Sequence, residues 1–152
     1  MSEIQVRAAR PDDHPRIRAV CDTWWGKPVV HVLPRLFLDH FHDTSLVAEE
    51  GADLVGFLVG FHSPALPEVS YVHFAAVAPE HRRTGLARDL YRRFTDAACA
   101  DGRSLVRAVT SPSNEGSIAF HRGIGFAVSG PHADHDGPGV DRVLFELRLR
   151  SV

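Results

Sequence analysis

The sequence of 152 residues has few of the features that mark secreted, membrane or metal-binding proteins. It holds two cysteines, Cys21 and Cys99, and neither stands in a CxxC or similar metal-type spacing. Both fall in helical apolar patterns, where a free cysteine is usually a small core residue, and a reducing compartment fits. The N-terminal stretch lacks an apolar signal segment, and no apolar run approaches ~20 residues. We therefore expect a cytoplasmic protein with no signal peptide, no transmembrane helix and no membrane partner.

The sequence also lacks an excess of charge of either sign. Seventeen Lys and Arg oppose 19 Asp and Glu, for a net charge of −2 with histidines neutral. Proteins that bind nucleic acid or anionic membranes usually carry a basic excess, so no nucleic-acid partner is predicted. The length fits one domain, residues 1–152, and we find no repeat, low-complexity tract or linker.

Apolar spacing predicts strands and helices in the order β-α-α-β-β-β-α-β-α-β-β. Strands are predicted at residues 4–8, 46–50, 54–62, 68–78, 105–109, 126–128 and 143–149. Helices are predicted from Pro11 to the break at Gly26, and at residues 29–42, 84–100 and 115–124. This mixed order indicates an α/β or α+β sheet with helices on its faces. The helix at 84–100 connects two strands, so a right-handed crossover is expected.

A basic loop and a helix start follow the strand that ends at Val77. Backbone N–H groups at a helix start lack partners and carry partial positive charge. Gly85 has no Cβ and Ala87 is small, so the backbone here can approach a ligand closely. Arg88 and the two arginines before Thr84 add cations that oppose the helix dipole unless an anion offsets them. An anion site is therefore predicted, with a solvated basic helix face as the alternative.

Residues 82–87, RRTGLA, match the R/Q-x-x-G-x-G/A signature of the GNAT superfamily of N-acetyltransferases. In that family the loop holds the pyrophosphate of coenzyme A through backbone amides. The resemblance implies the GNAT fold, which has a central mixed, mostly antiparallel sheet of six to seven strands flanked by about four helices. It also implies acetyl-CoA as the cofactor. The implied cofactor-binding residues of this loop are Arg82, Arg83, Thr84, Gly85, Leu86 and Ala87.

A second segment, residues 114–126 (NEGSIAFHRGIGF), resembles the other GNAT hallmark, an Asn before a short helix that ends in an aromatic residue or His. The resemblance implies that Asn114 binds the pantetheine arm, with Ser117 in the same cofactor set. It also implies that His121 lies near the thioester sulfur. Many members carry Tyr at this position, as the acid that protonates the leaving thiolate. With His, three roles stay open: a sulfur contact, a general acid, or a plain helix residue.

An alkyl ammonium with a pKa near ~10 must lose a proton before it can attack. The family resemblance implies that the base, where there is one, often lies on the strand before the 82–87 loop. Side chains alternate along a strand, which places Tyr71 and His73 on one face. His73 is predicted as the base, directly or through water, with a half-buried structural histidine as the alternative. Tyr71 stands where the family's acidic residue is expected. The resemblance further implies that a backbone N–H near Ala76 or Val77 polarises the acetyl carbonyl.

The acceptor side is less specific. Five residues could line an acceptor pocket: Trp24, Trp25, His31, Phe37 and Phe61. The carboxylates of Asp39, Glu49 and Glu50 could attract an ammonium. The loop at residues 130–141 holds His132 and His135 among aspartates, but it is a Gly- and Pro-containing loop in a histidine-rich chain, and no metal site is predicted.

Together these features predict an acetyl-CoA-dependent N-acetyltransferase. The acetyl group would pass from the thioester to a primary amine by direct attack in a ternary complex, without a covalent enzyme intermediate. The expected partner is a small-molecule amine, and a homodimer is possible. Two alternatives stay open: a non-catalytic acyl-CoA-binding module, and a protein lysine or N-terminal acetyltransferase.

Overall fold

The computed structural model describes residues 3–150. Within that range it contains seven strands and four α-helices. The strands are β1 (Ile4–Ala8), β2 (Leu46–Glu50), β3 (Asp53–His62), β4 (Val69–Val77), β5 (Leu105–Thr110), β6 (Ala127–His132) and β7 (Arg142–Arg148). The helices are α1 (His14–Trp25), α2 (Leu36–Phe41), α3 (Leu86–Ala100) and α4 (Glu115–Gly123). No helix in the described range combines the length and apolar character that crossing a bilayer would require.

The chain forms two compact units. The first comprises Met1–Phe61 and Val72–Ala97, and the second comprises His62–Tyr71 and Ala98–Val152. Strand β4 runs from the second unit into the first. The sheet order is β1-β2-β3-β4-β5-β7-β6. That the whole chain is a single domain stays a prediction.

In the first unit, β1, β2 and β3 pair antiparallel, with a register shift between Ala48 and Glu49 of β2. Helices α1 and α2 cover a core that includes fully buried Ile17, Cys21 and Phe57. Cys21 is therefore a core residue, as its spacing predicted. Burying such apolar side chains contributes roughly 1.5–3 kcal/mol each for the larger ones.

The start of α3 lies close to β3 in the first unit. A Cβ added at Gly56 would lie 3.3 Å from the Leu86 side chain and 3.4 Å from that of Leu90. Helix α3 can approach the strand this closely because residue 56 has no side chain.

In the second unit, Val69–Tyr71 of β4 pairs parallel with Leu105–Arg107 of β5, as a strand-helix-strand crossover requires. Strand β7 pairs antiparallel with both β5 and β6. The result is a mixed, mostly antiparallel sheet with four helices in the described residues. The predicted fold class is confirmed.

The predicted helix at 29–42 is wrong in extent. The chain instead forms a 3-10 turn at Val30–Val32, the short helix α2, and a second 3-10 turn at His42–Thr44. Between the first two, Leu33 has φ −125° and ψ 71°. Leu33 precedes Pro34, and a proline disfavours the helical conformation of the residue before it.

Two other boundaries also differ from the prediction. Helix α3 begins at Leu86 rather than at Thr84, because Gly85 has φ 89°, which no α-helical residue adopts. Strand β6 runs on to His132, where the sequence predicted a loop from Gly130 onward.

An ionic network joins the start of α1 to β1 and β2 in the first unit. Asp13 is 2% exposed and accepts both Arg7 Nη atoms at 2.9 Å. Glu49 accepts Arg7 Nε and Arg16 Nη1, each at 2.8 Å. The hydrogen bonds from Arg7 and Arg16 hold the pKa of Glu49 below its usual value. Glu49 thus has an arginine partner on each oxygen, and its attraction for an ammonium stays a prediction.

Candidate active site

The 82–87 loop in the first unit is a turn with two left-handed residues. Strand β4 ends at Val77, and a 3-10 turn at Pro79–His81 follows. Arg83 has φ 63° and Gly85 has φ 89°. The Thr84 hydroxyl donates to the His81 carbonyl at 2.5 Å, which closes the loop on itself. A positive φ at a non-glycine residue such as Arg83 is uncommon, and such residues cluster at ligand sites.

The space above this loop is open. A Cβ added at Gly85 would meet no atom within 4 Å. The Asp89 amide donates to the Gly85 carbonyl at 3.0 Å, so the helix ladder starts here and the amides of the three residues before Asp89 lack intrahelical acceptors. Residues 82–85 are exposed. Open space beside helix-start amides without intrahelical acceptors, with arginines nearby, fits a diphosphate.

The side chains of the loop do not all face that space. The Arg82 guanidinium donates to the carbonyl of Trp24 in α1, and the Arg82 amide donates to the Pro79 carbonyl at 3.3 Å. Leu86 is 7% exposed and belongs to the packing of α3 on β3, so only its backbone can face a ligand. Arg83 and Arg88 are exposed at the helix start, as predicted.

The end of β4 is held against β3. The Ala78 amide donates to the Val55 carbonyl at 2.9 Å. Val77 is buried, and Ala76 packs against the core of the first unit. The strand end on which the carbonyl-polarising amide was predicted is therefore fixed by a backbone hydrogen bond and by packing.

In the second unit, Asn114 caps helix α4, as its position predicted. Its Oδ1 accepts the Ser117 amide at 3.2 Å, and its Nδ2 donates to Thr110 Oγ1 at 3.1 Å. A cap of this kind satisfies one of the helix-start donors. Both polar atoms of the Asn114 side chain thus have protein partners, and one of these partners is on the predicted cofactor residue Ser117.

His121 of α4 is 6% exposed and stacks on Phe145, with ring centroids 3.9 Å apart and planes at 7°. Its Nδ1 lies 2.7 Å from the Ser117 carbonyl. A carbonyl oxygen only accepts, so Nδ1 carries the proton and Nε2 holds the lone pair of the neutral ring. Burial lowers the pKa of His121, outweighing the opposite effect of the Ser117 hydrogen bond, and the ring is neutral at pH 7.

His73 of β4, in the first unit, also donates to a backbone carbonyl, but through the other ring nitrogen. Its Nε2 donates to the Val32 carbonyl at 2.5 Å, and its ring stacks on Phe37 with centroids 3.9 Å apart. Burial lowers the pKa of His73, with a smaller opposing effect from the Val32 hydrogen bond. The ring is therefore neutral at pH 7, and its proton sits on Nε2, leaving the Nδ1 lone pair to accept a proton.

Tyr71, in the second unit, is half-buried. Burial raises the pKa of its phenol, the charge of Asp136 adds to the rise, and Arg142 opposes it. Asp136 and Arg142 form an ion pair of 2.7 Å. Tyr71 therefore remains a neutral phenol at physiological pH and can donate a hydrogen bond but not act as a base.

Most of the predicted acceptor-pocket aromatics pack on other aromatic residues of the first unit. Trp24 stacks on Phe57 with centroids 6.0 Å apart, and Trp25 packs on Phe74 at 4.6 Å. Phe61 stacks on Phe41 at 4.7 Å, and His31 is exposed. Phe37 is placed beside a predicted catalytic side chain, since it stacks on His73. Sequence analysis missed the Val32 carbonyl that anchors His73, because a backbone acceptor has no residue-type signal.

The His132 region is a tight turn. Asp134 Oδ1 accepts the Gly139 amide at 2.7 Å, and Asp141 Oδ1 accepts the Asp134 amide at 3.0 Å. The rings of His132 and His135 lie 6.4 Å apart. Across residues 3–150, no three His, Cys, Asp or Glu side chains converge as metal ligands would.

A cavity of about 470 Å³ lies in the first unit beside the 3-10 turn that precedes the 82–87 loop. Its wall includes Trp24, three acidic residues (Glu50, Asp53 and Glu80) and two basic ones (Arg16 and His81). Three carboxylates against one arginine leave an excess of negative charge, which disfavours an anionic ligand. This cavity is therefore not where a diphosphate would lie.

Comparison with known proteins identifies the fold and the motifs. Residues 9–126, more than half of the chain, match the model of the Acetyltransferase (GNAT) family. The L-2,4-diaminobutyric acid acetyltransferase of Shouchella clausii is 34% identical over 88 residues, which cover 57% of this chain and 49% of that protein. The chain spans about half the length of the curated relatives it matches.

Two solved structures resemble the whole chain. The diaminobutyrate acetyltransferase of Paenibacillus lautus, solved with its substrate L-2,4-diaminobutyric acid and coenzyme A, is 26% identical with a TM-score of 0.78. The match covers 100% of this chain and 99% of that one. Ard1 of Thermoplasma volcanium is 18% identical with a TM-score of 0.79, over 97% and 99% of the two chains, which shows a common fold.

Proposed function

This chain belongs to the GNAT acetyltransferase family, and from that premise we propose that it transfers an acetyl group from acetyl-CoA to a primary amine of a small molecule. The observation that carries the proposal is the open 82–87 loop. It combines two left-handed residues, helix-start amides without intrahelical acceptors and an empty space at the Gly85 Cβ position. A negatively charged diphosphate offsets the positive end of the α3 dipole there.

We propose that the amides of residues 86–88 and the Arg83 guanidinium receive the diphosphate. The family motif, rather than the loop, is the support for assigning the pantetheine arm to Asn114. Bound acetyl-CoA supplies the acetyl group as a thioester. The end of β4, fixed by the Ala78–Val55 hydrogen bond, presents the backbone N–H near Ala76 or Val77 to the acetyl carbonyl. A rigid donor there stabilises developing negative charge without reorganisation.

His73 is the proposed proton acceptor for the incoming ammonium. Its Nε2 proton is committed to the Val32 carbonyl, which leaves the Nδ1 lone pair to take a proton, directly or through water. Burial keeps the pKa of His73 low, so the ring is in its basic form at neutral pH. The stack on Phe37 fixes the ring plane and so the direction of that lone pair.

His121 is proposed as a contact to the sulfur rather than as a general acid. Its proton is on Nδ1 and is donated to the Ser117 carbonyl, so the neutral ring has no second N–H for a leaving thiolate. The low pKa set by burial disfavours the doubly protonated form that could donate. A thiolate with a pKa of ~8.5 is a good enough leaving group to depart without a general acid at His121. The proton can come from the amine that has attacked.

We further propose an amino acid with a second, side-chain amine as the acceptor. Seven curated relatives carry the name L-2,4-diaminobutyric acid acetyltransferase, and a whole-chain structural relative is a diaminobutyrate acetyltransferase. The support for this acceptor is similarity to those relatives, about half of whose length the curated matches span. A cytoplasmic location and a homodimer stay predictions.

The test is release of CoA thiol from acetyl-CoA by the purified chain. We expect turnover with L-2,4-diaminobutyrate that exceeds turnover with ornithine, lysine and short diamines, and mass spectrometry should show one acetyl group on the product. A peptide panel with free N-termini and lysines runs in parallel. Preference for a peptide would identify a protein acetyltransferase instead. Calorimetric binding of CoA without turnover of any amine would identify a cofactor-binding module.

A further inference from the structure

The C-terminal turn of α1 is capped from two sides in the first unit. Gly26 has φ 79°, and its amide donates to the Asp22 carbonyl at 2.9 Å. The carbonyl of Trp24, the next-to-last residue of the helix, accepts from the Arg82 guanidinium. Helix-end carbonyls lack intrahelical donors, and arginine side chains are among the groups that satisfy them. An arginine of the proposed cofactor loop is therefore part of a helix cap 58 residues away in sequence.

The same helix end organises the segment that anchors His73. The Asp22 carboxylate accepts the amide of Val29 at 2.7 Å and that of Val30 at 2.9 Å. Val30 begins the 3-10 turn that ends at Val32, whose carbonyl accepts from His73 Nε2. The pKa of Asp22 is lowered most by the hydrogen bond from the Val29 amide and further by that from Val30, so the carboxylate stays charged. A short series of polar contacts thus leads from the end of α1 to His73.

We propose that Arg82 is a positioning residue that fixes the end of α1 to the 82–87 loop, and thereby fixes the turn that anchors His73. The inference rests on the proposed function, because it treats His73 and its surroundings as the acceptor side. Its consequence is that the cofactor loop and the acceptor site are coupled within the first unit. Such coupling is reciprocal, so each ligand changes the affinity of the other by the same factor.

The chemistry of arginine suits this role. A guanidinium has five N–H donors in one plane, so Arg82 can bind the Trp24 carbonyl and still present donors toward the loop. The diphosphate is received by backbone amides in the proposed function, so the Arg82 side chain is not required for cofactor affinity. A lysine carries a compact ammonium instead of a planar set of donors. It should therefore make the contact with the Trp24 carbonyl less well, and Arg82→Lys should restore only part of the function.

The chain provides its own reporter for this contact. Its two tryptophans, Trp24 and Trp25, both lie at this end of α1. We expect CoA to change their fluorescence in the unaltered protein, and we expect Arg82→Ala to abolish that change while the calorimetric Kd for CoA stays within about threefold. Arg83→Ala should show the opposite pattern: weaker CoA binding but an unchanged fluorescence response at saturation. Arg18→Ala, an exposed arginine of α1, is the control and should alter neither.

Steady-state kinetics supply the second readout. In Arg82→Ala the KM for the amine should rise about five- to tenfold, with the KM for acetyl-CoA and kcat within about twofold, and Arg82→Lys should recover part of the loss. A rise confined to the KM for acetyl-CoA would overturn the proposal and make Arg82 a phosphate ligand. The proposal would also fail if CoA changed the tryptophan fluorescence of Arg82→Ala as much as that of the unaltered protein. If no amine is turned over by the unaltered protein, the proposed function fails, while the fluorescence and calorimetry still decide whether Arg82 couples the loop to α1.

Discussion

The 82–87 loop of the first unit and helix α4 of the second carry the two family motifs. They differ in whether their polar groups have hydrogen-bond partners within the protein. Around the loop, Gly85 faces open space and the helix-start amides have no intrahelical acceptor. In α4, both polar atoms of Asn114 and the Nδ1 of His121 are bonded to protein groups. The loop thus leaves donors open to a ligand, as proposed for the diphosphate, whereas the polar groups of the α4 motif are satisfied within the protein.

The difference teaches that a motif can serve two purposes with different energetic signatures. Substitutions in an open loop should change ligand affinity and leave the free energy of unfolding nearly unchanged, apart from backbone strain. Substitutions of internally bonded residues should lower the free energy of unfolding, because they leave partners unsatisfied. CoA affinity and the free energy of unfolding, measured for variants of each region, therefore distinguish the two cases.

The largest effect is expected for Gly85→Asp in the loop. A carboxylate at the diphosphate position adds like-charge repulsion, and we expect CoA affinity to fall at least about 100-fold, roughly 2.7 kcal/mol. The left-handed φ of 89° adds strain of about 1 kcal/mol to the fold. Calorimetry gives the affinity, and thermal unfolding gives the stability.

Gly102→Asp is the matched control for that variant. Gly102 has φ 80° and open space at its Cβ position, in the turn after α3. It should lose similar stability without any loss of CoA affinity. Equal CoA affinity in the two variants would show that the loop does not hold the diphosphate.

A smaller effect, on stability, is expected for Asn114→Ala. Losing this N-cap should cost about 1 kcal/mol and lower Tm by about 2–4 °C. Asn114→Asp keeps an oxygen to accept the Ser117 amide but loses the donor to Thr110, so it should retain most of the stability. If Asn114→Ala weakens CoA binding while Tm is unchanged, the contrast between the loop and α4 is wrong.

The smallest effect is a pH dependence of stability from His121. Its pKa is lowered in the folded protein, so the unfolded chain binds more protons as pH falls through about 6.5. Folding stability should therefore decrease from pH 7 toward the folded pKa and change no further below it. His121→Phe keeps an aromatic ring to stack on Phe145 but cannot titrate, and its denaturant midpoint should fall less on acidification. Parallel curves for the two proteins would contradict this assignment.

Local patterns were enough to predict most of the fold and the position of both motifs. Every predicted strand exists, and the cap at Asn114 and the buried Cys21 follow from spacing alone. The broken helix at 29–42 was also accessible, because Pro34 restricts Leu33 whatever the apolar periodicity around it. Periodicity was followed there when the steric rule should have taken precedence.

The remaining contacts join residues too far apart in the chain for any local pattern to predict them. Arg82 reaches the Trp24 carbonyl across 58 positions, and His73 reaches that of Val32 across 41. Both acceptors are backbone oxygens, which every residue type has. The tautomer of His121 depended likewise on which carbonyl lies beside its ring, and only the structure shows that it is that of Ser117.

Gly56 belongs to no motif, yet a Cβ there would lie 3.3 Å from Leu86, the first residue of α3, and 3.5 Å from the carbonyl oxygen of Ala76. Those two neighbours sit at the proposed diphosphate and thioester ends of the cofactor site. The missing side chain in the middle of β3 therefore lets the first turn of α3 and the end of β4 lie this close to the strand. An alanine at this position would press on the ends of the Leu86 and Leu90 side chains, which would have to move by a few tenths of an ångström, while its contact with the Ala76 carbonyl would be an ordinary one. It should therefore weaken CoA binding by displacing the start of α3, although residue 56 itself touches neither ligand.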